Sequence, residues 1–123
     1  MSSKLRRFEI LFPQQYNDGR EIPRRLRGRA LKEIVDQFGA ASFEPTAIEG
    51  YWHHEGILYT DSLSKIVIDI DDTDENRQWM RDFKARWKTA LDQLELWLVS
   101  YEINVDLLER NTIYNRVETA KAV

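Results

Sequence analysis

A chain of 123 residues with a net charge of −3 has the length of one domain and can bury roughly two thirds of the surface its unfolded form exposes. Its 42% hydrophobic and 11% aromatic content excludes a disordered chain, and its 32% charged content gives it a well-solvated exterior. The lack of cysteine excludes disulfides, thiolate catalysis and cysteine zinc sites, and agrees with a reducing compartment. The opening MSSKLRRFEIL contains no apolar run of signal-peptide length, and nowhere do about 20 apolar residues occur together. The expected location is the cytoplasm, with no membrane partner.

In residues 5–12, Phe8, Ile10 and Phe12 alternate with Arg7, Glu9 and Leu11, the period of a half-buried strand. Pro13, Asn17, Asp18 and Gly19 then break the strand and make a loop. A helix is expected to start near Pro23, with Leu26, Ala30, Leu31, Ile34, Val35 and Phe38 at helical spacing and Gly39 as its stop. Gly28 inside it costs about 1 kcal/mol relative to alanine, which close packing on a sheet would explain. From Ala41 to Asp71 a long hairpin is expected, turning at His54, Glu55 and Gly56. Pro45 places its first arm at an edge or marks a bulge. In the second arm Ile66, Ile68 and Ile70 share one face, and Val67, Asp69 and Asp71 share the other.

Asp72-Thr73-Asp74-Glu75 has capping-box spacing, with Asp72 as N-cap and Glu75 reaching back. The second helix should run to about Asp92, with Trp79, Met80, Phe83, Trp87, Ala90 and Leu91 inward. A last strand over Leu94–Ile103 puts Leu94, Leu96 and Leu98 on one face and Trp97, Val99 and Tyr101 on the other. Strand, helix, hairpin, helix, strand is the order of an α+β, ferredoxin-like β-α-β-β-α-β sandwich. In it an antiparallel sheet has two helices on one face and the second face open. Residues 1–103 would form this domain and 104–123 a C-terminal extension. There, Leu107, Leu108, Tyr114 and Val117 either line a short helix against the open face or a partner, or belong to a frayed tail.

The stretches RRFEILFPQQYNDG, QFGA, GYWHHEG, DTDENR and LELWLVSYEI resemble a family of small bacterial proteins, notably cyanobacterial, for which no activity is established. A looser similarity, in element order and in the aromatic hairpin before SKIVIDI, links the chain to another bacterial domain family of unknown function. The resemblance implies the ferredoxin-like fold and no catalytic residue. The RRLRGR run and the residues after Asn104 lie outside the pattern.

Candidate sites follow from charge and face. His53 and His54 with Glu55 offer metal donors, but neighbouring strand residues point to opposite faces, so one ion would need Asp61 or a second subunit as well. Asp69 and Asp71 share a face and could hold Mg²⁺ only with Glu9 or Asp18 in register. Helix capping and solubility explain them as well, and no metal or other cofactor is expected. Arg20, Arg24, Arg25, Arg27, Arg29 and Lys32 stand against Glu21 alone in residues 20–32, where positive charge opposes the helix dipole. Pairing with the acidic run Asp69–Glu75, within or between chains, would explain this. A pI near 5.4 and the lack of an RNP-type motif argue against nucleic acid.

The open face is the strongest candidate. Leu11, Val67, Trp97, Val99 and Tyr101 are expected there among Arg7, Glu9, Asp69 and Lys65, an apolar patch that calls for a partner or a ligand. The leading expectation is a non-catalytic module that forms a homodimer through this face, with another protein as the other partner class. The alternative is a small-molecule binder or enzyme of the dimeric α+β barrel type. A pocket enclosing Arg7 and Asp69 would mark it, with Arg7, Glu9, Asp69 and Tyr101 as its lining. No Ser-His-Asp set, P-loop or Rossmann fingerprint is present, so catalytic residues stay unassigned.

Overall fold

In the computed structural model, which describes residues 4–106, the elements are β1 (Leu5–Pro13), α1 (Arg24–Phe38), β2 (Ser42–His54), β3 (Ile57–Asp71), α2 (Asp74–Ala90) and β4 (Trp97–Ile103). Every neighbouring pair of strands is antiparallel and the sheet order is β2-β3-β1-β4. This is the expected α+β ferredoxin-like topology. Leu107, Leu108, Tyr114 and Val117 of the expected extension lie outside the described residues.

The pleat decides the two faces. Phe8 lies opposite Ile68, Ile10 opposite Ile66, and Phe12 opposite Ser64. These residues are buried with Ile70 beneath Ala30 and Ile34 of α1 and Met80, Phe83 and Trp87 of α2. Each buried Ile or Phe side chain contributes about 1.5–3 kcal/mol. The Ser64 hydroxyl donates to the Phe12 carbonyl at 3.4 Å, which keeps the buried oxygen paired. An aromatic series joins the helices through Phe38 edge-on to Trp79 at 4.9 Å and Trp79 stacked on Phe83 at 5.5 Å. Glu33 of α1 accepts from the Trp87 indole and from Arg86 of α2, each at 3.1 Å.

Several local expectations are corrected. Gly28 is exposed, and a Cβ added there would meet nothing within 4 Å, so sheet packing does not explain it. Val35 and Ala90 face solvent, and α2 ends at Ala90. The last strand begins only at Trp97: Leu94 is exposed in the connection, while Leu96, just before the strand, is buried. The N-cap of α2 is Thr73, whose hydroxyl accepts from Asn76 N at 3.1 Å. Asp72 is engaged elsewhere: its carboxylate accepts from Arg77 Nε at 2.7 Å and from Arg6 Nε at 3.0 Å, with only 4% of the side chain exposed.

The turn at residues 55–56 is as expected, with Glu55 at φ 49° and Gly56 at φ 78°, the two positive values of a tight hairpin turn. Pro45 sits in edge strand β2, where the register shifts between Glu44 and Ile48, so it marks an edge and a bulge together. Gly39 closes α1 in the left-handed conformation, φ 89°.

Gly28→Ala should raise stability by about 1 kcal/mol, read as a higher urea midpoint with unchanged slope. Arg77, and then Arg6, hold the Asp72 carboxyl at about 2, below its ordinary 3.8. A lowered folded value stabilises above the unfolded value and ceases to do so as pH falls through the folded one. Melts should therefore show Asp72→Asn less stable than the parent near pH 6, with the difference shrinking below about pH 4 and gone below about pH 2.

Candidate functional site on the open sheet face

With Phe8, Ile10 and Phe12 inward, the odd residues of β1 point to the face opposite the helices, which no other described element covers. Register then aligns rows across three strands. Trp97, Leu11 and Lys65 form one row, Val99, Glu9 and Val67 the next, and Tyr101, Arg7 and Asp69 the third. All eight residues expected on this face, Arg7, Glu9, Leu11, Val67, Asp69, Trp97, Val99 and Tyr101, occupy face-matched register positions. Trp97 is 61% exposed and Tyr101 is also exposed.

The charges on the face are satisfied within it. Arg7 donates to both Asp69 oxygens, Nε at 2.8 Å and Nη2 at 2.9 Å, a bidentate pair. Asp69, first through hydrogen bonds and then through charge, holds the guanidinium above its ordinary value, with a smaller contribution from Tyr101. Lys65 Nζ lies 3.3 Å from Glu9 Oε1. Since the first pair is about a third exposed and the second is more buried, neither is a large source of stability. Their effect is to pair these four charges within the face.

This pairing also answers the carboxylate expectation. Asp69 is committed to Arg7, and no three His, Asp or Glu side chains among the described residues are grouped to hold a metal ion. His54 Nε2 is 3.8 Å from Glu55. The arginine run does not meet the acidic run within the chain. Arg24, Arg25, Arg27 and Arg29 follow the C-terminal end of β1, whereas Asp71–Glu75 lie beside its N-terminal end, and β1 itself spans roughly 26 Å at 3.3 Å per residue. Arg27 stacks on Phe43, 4.4 Å from the ring centre, and Arg20 pairs with Asp18.

A groove of about 420 Å³ opens on this face where β1 ends. It is lined by Leu11, Pro13, Leu63, Trp52 and Trp97, together with the polar Asp61, Gln93 and Glu95. Gly50 forms part of its wall, because a Cβ there would stand 3.2 Å from the Leu63 side chain. Trp52 stacks on Tyr59 at 4.4 Å and 15°, and its indole donates to Asp61 at 2.6 Å. Lys84 and the Leu96 N–H hold the Glu95 carboxyl below its ordinary value. Of the expected face residues, only Leu11 and Trp97 reach the groove. Arg7 and Asp69, which bond to each other, do not line this groove. Trp52, Leu63 and Glu95 were not anticipated. Trp52 and Tyr59 are equidistant from the Glu55–Gly56 turn, and that spacing in the sequence signals their pairing.

The hairpin extends well past the rest of the sheet. The β1 ladder on β3 ends at Leu63, opposite Pro13, with one further bond from Gln14 N to Ser62 O, so among the described residues Ile57–Asp61 pair with β2 alone. The resulting arm exposes Tyr51, Ile57 and Leu58. Among the described residues no helix is long and apolar enough to cross a membrane.

No protein-family model and no curated protein matches the sequence. Solved structures do share the fold. Phage SAM lyase in complex with S-methyl-5′-thioadenosine superposes with a TM-score of 0.63 at 14% identity, over 89% of this chain and 96% of that one. CutA1 from Oryza sativa gives 0.59 at 12% identity, over 86% and 85%. The divalent ion tolerance protein CutA1 from Ehrlichia chaffeensis gives 0.53 at 9%, over 93% and 92%. At such identities the likeness is one of fold.

Proposed function

We propose that this protein is a non-catalytic interaction module that assembles with a second copy of itself through the open sheet face. The observation that carries this reading is the exposed Trp97, in register with Leu11 and beside Val99 on a face with no covering layer among the described residues. An apolar surface rimmed by polar groups is what a partner covers. The internal pairs Arg7–Asp69 and Lys65–Glu9 favour coverage by a like face, since these four charges are paired before any burial. A large exposed aromatic side chain such as Trp97 is a usual anchor of an interface.

At micromolar concentration light scattering should give at least twice the mass of one chain. The pair Trp97→Glu and Val99→Lys should at least halve the assembly mass while the far-ultraviolet spectrum is retained. A monomeric parent would refute the reading.

The groove supports a second reading, as a site for a small, largely apolar ligand held between Trp52 and Trp97. S-methyl-5′-thioadenosine, the molecule bound in the phage SAM lyase, is a reasonable first probe because it combines a flat heterocycle with an apolar thioether. Calorimetric titration should then show saturable binding that Trp52→Ala abolishes. The absence of heat at millimolar probe would leave the assembly reading alone.

A further inference from the structure

The arm carries a surface separate from the open face. Ser62 is the last β3 residue bonded on the β1 side, its carbonyl accepting from Gln14 N at 2.9 Å. In an antiparallel strand the N–H and C=O of one residue point to the same side, and those of the next point to the other. Thr60 and Leu58 therefore direct their backbone groups to the side where Ser62 directs its own, and there β1 no longer runs alongside.

Among the described residues nothing pairs with this edge, Ile57–Asp61, reading Ile-Leu-Tyr-Thr-Asp. It holds no proline, no lysine and no bulge, and its one charged residue, Asp61, is at its end. The outer edge of β2, by contrast, is interrupted by Pro45 and a register shift. Exposed apolar side chains flank the free edge on both faces of the arm, Ile57 (56% exposed) on the open-face side and Leu58 (57%) with Tyr51 on the reverse.

We infer that this edge pairs with the same edge of a second copy, β3 against β3 about a two-fold axis through Tyr59. The length of the edge selects that occupant. It is bounded by the Glu55–Gly56 turn on one side and by the Gln14 bond at Ser62 on the other, so its centre is Tyr59. Two copies placed antiparallel about that centre use all of the edge and nothing beyond it. Leu58 of each copy then exchanges both backbone hydrogen bonds with Thr60 of the other. The two Tyr59 residues form the closer, non-hydrogen-bonded pair on the axis. The charges agree, since Asp61, the one charged residue of the segment, falls opposite Ile57 and no like charges meet. This is strand addition with the chain as its own partner. It goes beyond the face-to-face reading and does not depend on it.

The cysteine-free chain makes the test direct. Cα atoms of a non-hydrogen-bonded pair lie about 4.5 Å apart, within disulfide range, whereas two copies of residue 57 would be roughly 13 Å apart. On mild oxidation Tyr59→Cys should form a disulfide-linked dimer, and Ile57→Cys several-fold less. Thr60→Pro removes only an N–H on the free side, leaving the β2 ladder intact, and should lower the assembly mass of the parent. If Tyr59→Cys crosslinks no better than Ile57→Cys, the edge proposal is overturned. A parent assembly that the Trp97→Glu, Val99→Lys pair then dissolves would keep the face reading. If that pair leaves the mass unchanged while Tyr59→Cys still crosslinks, the face reading falls and the edge stands. A monomeric parent with neither cysteine variant crosslinked overturns self-pairing, whatever other extended segment occupies the edge.

Discussion

The packing of two helices against one ladder of β1 and β3 is the contact on which the rest of the molecule depends. Phe8, Ile10 and Phe12 meet Ile68, Ile66 and Ser64 across that ladder, and α1 and α2 close over them. Because side chains alternate along a strand, burying these residues sends Arg7, Glu9, Leu11, Val67 and Asp69 to the other side. A slip of one residue would put isoleucines in water and guanidinium under the helices. The same constraint that builds the core therefore composes the open face, and its ion pairs hold the register from the outside at little cost to the core.

Much of this was legible in the sequence because it depends on periods of two and of about 3.6. The isoleucine alternation in β3, the helical spacing through Ile34 and through Met80, Phe83 and Trp87, and the turn at Glu55–Gly56 all follow from local pattern. The features that escaped depend on distant residues. Asp72 has the spacing of a cap, but Arg6, which is 66 residues away in sequence, and Arg77 take its carboxylate and leave the cap to Thr73. Gly28 suggested a close contact that is absent. The arginine and acidic runs look complementary until the topology puts them at opposite ends of β1. Register alone shows that β3 outruns β1. For the candidate site, strand alternation sufficed to place eight residues on one face. The groove needed the twist and reach of the hairpin, which no local pattern encodes.

Two surfaces of different chemistry follow from that topology. The open face has side chains to bury and its backbone already paired. The arm has backbone groups to pair and a narrow set of side chains. A partner on the first would be selected by shape and apolar area, whereas one on the second would be read mainly through its extended backbone. Substitutions that alter one need not disturb the other.

The arm has a further consequence through what lies beneath it. The helices pack under the four-stranded part of the sheet, and beyond Leu63 the hairpin rests on its own cross-strand contacts, chiefly Trp52 on Tyr59 and the Trp52–Asp61 hydrogen bond. Its opening is thus a local event whose free energy is separate from that of the domain. A segment so decoupled can change its sequence without taxing the core. The hairpin tip can therefore vary in sequence while the sandwich that carries it stays the same.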